Sequence, residues 1–346
     1  MIYLDHAATT PLPEAVADTM YDVLRHQFGN PSAQYPLGRE AKELVEEARR
    51  TIAGALGCQP SALHFTSCGT ESDNWAIRAA AWQGRHTGRH IITTAVEHSA
   101  VLEPCRQLEQ EGYEVTYLKP DRTGHISAGQ VAEALREDTV LVSVMLVKGF
   151  LKVPCSPAGW GVDLMSLSAH KIGGPKGIGA LYVRPDLRNL RPLLAGGGQE
   201  EGLRSGTEAT AQIAGFAKAV ALRQEGLEEK LAHMARIKAY CRERLLSIPG
   251  VVPVGGGEAP HILAVSLVGY PSANVINDLG SQGICLSAGS ACHRGKASRG
   301  YAALGLDKRT AAGVLRLSFG PETTEGDIDA LYEALLRHKN TRFSML

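Results

Sequence analysis

The chain has 346 residues, of which 44% are hydrophobic and 21% are charged, as is typical of a globular protein with one large domain or two ordinary ones. Thirty-six basic residues balance 36 acidic ones, so the charge favours neither nucleic acid nor an anionic membrane as a partner. There is no leader-like pattern at residues 1–10, and no apolar run is long enough to cross a bilayer. We therefore expect a cytoplasmic protein.

Short apolar or β-branched runs alternate with amphipathic stretches up to about residue 210. Strands are predicted over residues 61–67, 90–97, 113–119, 139–147 and 161–169. Helices are predicted over residues 37–57, 71–84 and 128–138. Such alternation predicts an α/β fold in which helices cover both faces of a mostly parallel sheet.

The pattern changes in the last third of the chain, where a smaller α+β unit is predicted. A long charged helix is expected over about 226–247 and a last helix over 323–339, with strands over 262–269, 283–289 and 313–320. We predict a large domain over 15–225 and a small one formed by 1–14 and 226–346. Ligands of open α/β sheets bind beyond the carboxyl ends of the strands, so a ligand site is expected in the loops at those ends.

The segment "SLSAHKIGGPKGIGALYV" (166–183) places Lys171 directly after a predicted strand. A lysine at such a position is often a solvated loop charge. Here, however, Ser168 and His170 can donate hydrogen bonds to an anion, and the following glycines allow a ligand to approach the backbone closely. A lysine beside a phosphate site is the arrangement that holds pyridoxal phosphate (PLP) as a Schiff base. The competing Lys176 follows the Gly-Pro turn and is expected to face solvent.

Two more strand ends carry polar residues. The stretch "HFTSCGTESDN" (64–74) leads from a strand into a helix through Gly69 and Thr70, and free amides at a helix start favour an anion. A serine- or threonine-rich helix start is also the signature of a simple cap. His98 follows another strand, where its imidazole could stack on an aromatic cofactor or serve a structural role.

Eight motifs in one order resemble those of the cysteine desulfurases (NifS/IscS-like), which are class V aminotransferases and fold-type I PLP enzymes. The resemblance covers nearly the whole chain. The motifs are "YLDHAATT" (3–10), "FGNPSA" (28–33), "FTSCGTESDNWAI" (65–77), "EHSAVL" (97–102), "SLSAHKIGGPKG" (166–177), "GGGQEEGLRSGTE" (196–208), "SAGSAC" (287–292) and "LRLSFGPETTEGDID" (315–329).

The resemblance implies a role for each of nine residues. Lys171 would hold the cofactor covalently and act as a general base, and His98 would stack on the pyridine ring as part of the catalytic set. Thr207 would reach the phosphate of the partner subunit in a homodimer. Arg316 would bind the substrate carboxylate, with Asn30 lining the pocket. The residues implied to hold the phosphate are Gly69, Thr70, Ser168 and His170.

Cys292 is the cysteine expected to react. It lies in "LSAGSACHRGKASRG" (286–300), a small-residue stretch predicted to be a mobile loop, and three basic neighbours favour the thiolate. By the resemblance it would take the substrate sulfur as a persulfide, although it could also be an exposed spectator thiol. The seven cysteines form no CxxC pair, so neither a disulfide framework nor a zinc site is expected. Cys285 is expected in the core, and Cys68 is assigned no role.

The resemblance is interrupted after Val147. The family continues there with an Asn-Asn-Glu-Thr-Gly motif, a helix and a strand ending in Asp-Ala-x-Gln, and about 30 to 35 of these positions have no counterpart before Gly149. We therefore predict that about one helix and one strand are missing after Val147. The lost Asp would bond the pyridine nitrogen, and Asp163, the first acid that follows, lies at the start of the next strand. Either a segment of the native protein is absent from this chain, or the chain is a degenerate homologue.

The sequence thus predicts a PLP-dependent cysteine desulfurase. It would convert L-cysteine to L-alanine and pass sulfur to an acceptor protein, such as an iron–sulfur scaffold, for iron–sulfur cluster or thio-cofactor assembly. Two alternatives stay open: a selenocysteine lyase or other class V enzyme, and a non-catalytic dimeric scaffold. No metal site is predicted.

Overall fold

The computed structural model describes residues 1–144, 149–153, 155–288, 301 and 303–344. Within these ranges the strands are β1 (Ile2–Tyr3), β2 (Leu63–Thr66), β3 (His90–Thr94), β4 (Glu114–Leu118), β5 (Thr139–Val142), β6 (Leu164–Ser168), β7 (Gly179–Val183), β8 (Val251–Pro253), β9 (Ile262–Leu267), β10 (Ile284–Cys285) and β11 (Val314–Ser318). The α-helices there are α1 (Glu14–His26), α2 (Pro36–Leu56), α3 (Gly69–Gly84), α4 (Ser99–Gln110), α5 (Ala128–Ala134), α6 (Pro157–Trp160), α7 (Thr210–Gln224), α8 (Leu227–Leu246), α9 (Ser272–Ser281), α10 (Lys308–Ala312) and α11 (Glu325–Thr341).

The larger part of the molecule contains two three-stranded sheets. One has the order β4-β3-β5 and is parallel throughout. The other has the order β2-β7-β6, and β7 is antiparallel to both neighbours, so β2 and β6 run in the same direction. Every residue of β2, β3 and β7 is buried, which explains why these strands consist largely of apolar and β-branched residues.

Helices cover these sheets because each has one apolar face. α2 begins with a proline in its first turn. It is followed by Gly57, whose φ of 70° is typical of the residue that ends a helix. Its buried face includes Val45, Ile52 and Leu56, which join the apolar cluster around β2 and β7. α3 packs against β5 as well as against β6 and β7, so it spans both sheets.

A second apolar cluster lies in the smaller unit, where β11-β9-β8 form an antiparallel sheet that packs with α8 and α11. All of its buried members lie between Met234 and Leu335 in the sequence, except Leu4 near the amino-terminal end. β1 pairs in parallel with β10, which brings residues 1–5 to this unit. This cluster supports the division into domains 15–225 and 1–14 plus 226–346, which stays a prediction.

Most predicted elements exist, and several are shorter than predicted. The strand predicted over 139–147 ends at Val142, and residues 145–147 lie outside the described ranges. The helix predicted over 128–138 ends at Ala134 because Leu135 adopts an extended conformation (φ −65°, ψ 137°). The strand predicted over 283–289 is β10, of two residues.

The predicted mostly parallel sheet is interrupted between β5 and β6. In the described part of the chain, β5 pairs only with β3, and β6 pairs only with β7. A cavity of 760 Å³ separates the two strands and is lined by both of them and by α3. The helix and strand predicted to be missing would belong at this position, and their loss stays a prediction.

Three further findings apply to the described ranges. The six cysteines there are free thiols, and burial raises the pKa of Cys58 and Cys155 to about 11 and that of Cys105 to about 12. No His, Cys, Asp and Glu side chains are grouped there as a metal site would require. None of the helices there has the length and apolar character needed to cross a membrane.

Candidate active site

Two predicted ligand-binding loops lie at the same end of the sheet β2-β7-β6, where β2 and β6 have their carboxyl ends. Gly179 of β7 pairs with Thr66 on one side and with Ser168 on the other, so β2 and β6 end at the same level on either side of β7. The loop after β2 carries Gly69, and the turn after β6 carries Lys171. The sequence prediction that these loops belong to one site therefore agrees with the strand register.

Gly179 also shows how closely the two loops approach. A Cβ atom at this position would lie 2.6 Å from the carbonyl oxygen of Leu167 and 2.8 Å from the carbonyl carbon of Cys68. Such distances are far below van der Waals contact, so the site tolerates only glycine here without a backbone shift. The tight fit fixes the position of the β2–α3 loop relative to the end of β6.

Lys171 lies on a single 3₁₀ turn, Ala169–Lys171, at the carboxyl end of β6. Its Nζ atom donates hydrogen bonds to the carbonyl oxygens of Ala7 at 3.0 Å and Ala8 at 2.7 Å. The side chain is half-buried, whereas Lys176 is exposed, as the sequence predicted. Lys171 is therefore the lysine of this segment that points into the molecule.

The amino-terminal motif "YLDHAATT" supplies the other wall of this site. Thr10 Oγ1 donates to the carbonyl oxygen of His170 at 2.9 Å and accepts the amide of Gly173 at 2.7 Å. Thr9 Oγ1 shares a 3.1 Å hydrogen bond with His170 Nδ1. Sequence reasoning noted this motif but gave its residues no role, because nothing local shows that it crosses the lysine turn.

His170 is held in its neutral form. Burial, followed by the positive charges of Lys171, Lys176 and Lys152, lowers the pKa of its imidazole to about 4. A neutral imidazole has one N–H to donate, so near neutral pH His170 can give one hydrogen bond to an anion without adding charge.

The β2–α3 loop presents the start of a 16-residue helix. α3 begins at Gly69, and the side chain at its N-cap, Cys68, makes no capping hydrogen bond. The first-turn amides of a helix have no partner within the helix, so here they are available to an anion. Gly69 is buried and Thr70 is exposed, and Ser168 is buried at the neighbouring strand end.

An ion pair ties this loop to residues 196–208. Glu71 accepts hydrogen bonds from Arg204 Nε at 3.0 Å and from the Ser67 hydroxyl. Burial tends to raise the pKa of Glu71, but the hydrogen bonds from Arg204 and Ser67 outweigh burial and hold that pKa below its ordinary value. The sequence did not reveal the pair of Glu71 and Arg204, because these two residues lie 133 positions apart.

A second, fully buried pair anchors the same segment. Both carboxylate oxygens of Glu200 accept hydrogen bonds from the Arg49 guanidinium, at 2.8 and 2.9 Å, and the amide of Phe65 adds a third at 2.8 Å. Because Phe65 lies on β2, the pair connects residues 196–208 to the strand that leads into the Gly69 loop. Glu200 has a left-handed backbone (φ 50°), a strain that these contacts offset.

His98 occupies the N-cap of α4, four residues after the end of β3. Its Nδ1 atom accepts a hydrogen bond from the amide of Ala100 at 3.1 Å. In the neutral ring the proton must therefore be on Nε2, so the helix cap fixes both the tautomer and the orientation of the imidazole.

Arg316 lies on β11 and is buried. Its Nη2 atom donates to the Asp5 carboxylate at 2.8 Å, and the Ser287 hydroxyl donates to the same oxygen at 3.1 Å. The Nε atom of Arg316 is buried without an acceptor among the described residues. A buried donor without an acceptor is costly, and an incoming carboxylate would satisfy it.

The other predicted site residues are not joined to this cluster by any hydrogen bond in the described chain. Asn30 is exposed, and its Oδ1 accepts the amide of Ser32 at 2.9 Å. Thr207 is exposed, as a residue that serves a partner subunit would have to be. Cys292 lies outside the described residues.

Asp163 does not replace the missing acid. It precedes β6, whereas Lys171 follows that strand, so the two ends are about 16 Å apart for a strand of this length. Asp163 is also paired with Arg184 at 2.6 Å in an exposed position. Asp163 is therefore placed away from Lys171, and the expectation that no acid takes over locally stays a prediction.

Comparisons with known proteins show the family of the chain. The family model "Aminotransferase class-V" matches in two pieces, residues 2–151 and 146–331. The cysteine desulfurase IscS of Dictyoglomus turgidum is 36% identical over 370 positions (97% of this chain and 94% of that protein). The same-named protein of Vibrio atlanticus is 40% identical over 372 positions, with 95% and 90% covered.

Solved structures show the same fold. A NifS-like protein superposes with a TM-score of 0.92 at 31% identity, covering 99% of this chain and all of that one. The NifS-like protein from Rickettsia africae gives a TM-score of 0.86 at 25% identity, with 98% and 99% covered. Together these matches define the fold as that of the fold-type I PLP enzymes. The chain belongs to the aminotransferase class-V family.

Proposed function

We propose that the protein is a PLP-dependent cysteine desulfurase that converts L-cysteine to L-alanine. The observation that carries the proposal is the placement of the Lys171 turn and the Gly69 loop at the same end of the β2-β7-β6 sheet. The relatives named cysteine desulfurase, which align over more than nine-tenths of the chain, support the same activity.

Several observations of this structure test whether the residues fit PLP. Uncapped helix amides, the neutral His170 and the buried Ser168 suit a phosphate, and Lys171 lies beside them. The phosphate would thus be held by Gly69, Thr70, Ser168 and His170, with Thr207 added by a partner subunit and His98 stacked on the ring. When bound, PLP withdraws electrons from the substrate α-carbon, so that a proton there becomes acidic.

The chain's own residues account for the remaining steps. Arg316 would bind the substrate carboxylate through its Nε atom, while Asp5 holds the guanidinium in place. Lys171 would take the α-proton at Nζ, which the carbonyls of Ala7 and Ala8 position. The Cys292 thiolate would attack the substrate sulfur. A new S–S bond forms as the C–S bond breaks, the carbon keeps that electron pair and is protonated, and alanine is released.

The partners follow from the same proposal. L-cysteine would be the substrate, a second copy of the chain would complete the site through Thr207, and the persulfide would pass to an acceptor protein for iron–sulfur cluster or thio-cofactor assembly. We expect this chemistry in the cytoplasm.

The test is to incubate the purified protein with PLP and L-cysteine and to measure alanine, together with the mass of the Cys292 peptide. We expect a visible cofactor absorption band, alanine, and a gain of one sulfur at Cys292. The Cys292→Ser variant should lose desulfuration, whereas Cys285→Ser, on β10, should retain it. A protein with no cofactor band and no alanine is not this enzyme. Selenocysteine cleavage that survives Cys292→Ser without any cysteine desulfuration would favour a selenocysteine lyase.

The interruption between β5 and β6 favours one other candidate, a non-catalytic dimeric scaffold. The residues expected to bind the pyridine nitrogen and the phenolic oxygen belong to the missing positions. Native protein that dimerises but carries no PLP would support the scaffold. A native mass several kilodaltons above 36.9 kDa would instead show that the native protein contains the missing segment.

A further inference from the structure

The cavity between β5 and β6 has two strand edges as its walls and a helix as its floor. Its lining comes from α3 (residues 73–84), from residues 140–144 and from residues 160–166. Within the described ranges, the edge of β5 turned away from β3 and the edge of β6 turned away from β7 have no strand partner. Both edges therefore present backbone donors and acceptors to the same space.

The cavity has the size of one strand. A five-residue strand is about 16 Å long and takes up about 4.8 Å of sheet width and about 10 Å of layer thickness, which gives about 800 Å³. The cavity measures 760 Å³. A sheet that gained one strand here would become continuous from β4 to β2.

The rim of the cavity is apolar and exposed. Val142 is 42% exposed, Val144 is 60% exposed and Trp160 is 48% exposed, and all three line this cavity. Large apolar side chains grouped beside an open strand edge are typical of a surface that another polypeptide covers.

The position of the cavity in the sequence agrees with its position in space. The two family-model matches overlap over residues 146–151, between β5 and β6. The alignment with the Dictyoglomus protein runs over 370 positions, whereas the chain has 346 residues, so at least 24 positions of that protein have no counterpart here. Twenty-four residues are enough for a strand and a short helix.

We propose that the space between β5 and β6 is a strand-acceptor site, and that its occupant is a separate polypeptide segment with an apolar strand like the one predicted to be missing here. Pairing to both edges would supply main-chain hydrogen bonds, as in β-strand addition. The strand should carry no acidic side chain toward α3, because the floor holds the buried Asp73 carboxyl, whose pKa burial raises to about 6. This inference does not depend on the desulfurase chemistry proposed above.

The probe is a synthetic peptide with the residues of the Dictyoglomus protein that align between Val144 and Gly149. It is titrated into the purified full-length chain without cysteine, and hydrogen exchange of β5 and β6 is measured. We expect saturable one-to-one binding, with amide exchange in Thr139–Val142 and Leu164–Ser168 slowed by about tenfold or more. A peptide of the same composition in scrambled order should have no effect.

Two substitutions make the test specific. Ala80 lies on the cavity floor and is only half-buried, so Ala80→Glu should fold yet weaken peptide binding by about tenfold or more. Ala132, exposed on α5 and outside the cavity lining, is the matched control, and Ala132→Glu should bind like the unaltered chain. A chain with the same segment inserted after Val144 should no longer bind the peptide.

Four results would overturn the proposal: no binding, binding that Ala80→Glu leaves unchanged, slow exchange at both edges in the free chain, or self-association of the chain through these edges in place of peptide binding. None of these readouts uses PLP or alanine, so a failure here is distinguishable from a failure of the proposed activity.

Discussion

The two three-stranded sheets of the large part of the molecule differ at their edges. In β2-β7-β6 the strand that faces the interruption, β6, is half-buried over its first three residues and buried over its last two, and β2 on the other side is buried throughout. In β4-β3-β5 the strand that faces the interruption ranges from half-buried to exposed. The lysine turn and the Gly69 loop both stand on the first sheet, so their geometry is set without the strand predicted between β5 and β6. The strand predicted to be missing would lie on the side of the site where the resemblance implies an acid for the pyridine nitrogen.

The largest effect on activity should come from substitution of Lys171, at the end of the β2-β7-β6 sheet. Lys171→Ala removes both the covalent anchor and the proposed base, so we expect alanine formation to fall by about 10³-fold or more, with loss of the visible cofactor band. Alanine release and the absorption spectrum measure this. Lys176→Ala, five positions along in the same segment and exposed, is the control and should be nearly unchanged. Equal losses in both variants would contradict the assignment of Lys171.

The buried ion pair of Arg49 and Glu200, which anchors residues 196–208, should contribute strongly to the free energy of unfolding. Glu200→Gln leaves the Arg49 guanidinium buried without its carboxylate, so the free energy of unfolding should fall by about 3–5 kcal/mol. Glu47→Gln removes the exposed partner of Arg50 and should cost less than about 1 kcal/mol. Urea unfolding of both variants measures the difference, and similar losses would show that the buried pair does not hold the loop.

A matched pair of core substitutions compares the sheets directly. Leu181→Ala in the buried β7 should lower the free energy of unfolding by about 2–5 kcal/mol, because it leaves a cavity in close-packed surroundings. Leu141→Ala in β5 should cost less than half as much, because its side chain is half-buried beside existing open space. Urea unfolding measures the loss in free energy of unfolding for both variants. Equal losses would mean that β5 is as well packed as β7.

The smallest effects should appear in the pH dependence of stability, with opposite signs in the two regions. The pKa of His170 is lowered to about 4, so between pH 4 and 6.5 the unfolded chain binds the extra proton and this group makes stability rise with pH. The pKa of Asp73 is raised to about 6, so between pH 3.8 and 6 the folded chain binds the extra proton and stability falls as pH rises.

Two variants separate these contributions. His170→Asn should flatten the rise of the free energy of unfolding with pH, and Asp73→Asn should steepen it, by at most about 1.4 kcal/mol per pH unit for one proton. Urea unfolding at several pH values between 4 and 7 measures both slopes. Slopes that move in the same direction in both variants would show that the two environments were assigned wrongly.

The elements that sequence patterns predicted best have strong local signals. The α2 helix was predicted to within one residue at each end, because a proline at its start and a glycine at its end mark the boundaries. The two-residue β10 shows the limit, since pairing with β1 rather than local preference determines its length. For the candidate site, the strand ends at Gly69, His98 and Lys171 could be read from local patterns, whereas Glu71, Glu200 and Asp5 could not.

The sequence by itself determined the lysine after a strand, the glycines around it, the exposed glycine-rich turn with Lys176, and the motif order that led to the family. These features are local, and local backbone preference and hydrophobic pattern encode them. Only the tertiary structure placed the carbonyls of Ala7 and Ala8 against Lys171, Asp5 against Arg316, and three cations around the neutral His170. The contacts of Lys171 with Ala7 and Ala8 and of Arg316 with Asp5 join residues more than a hundred positions apart, so they depend on how the sheets and helices pack.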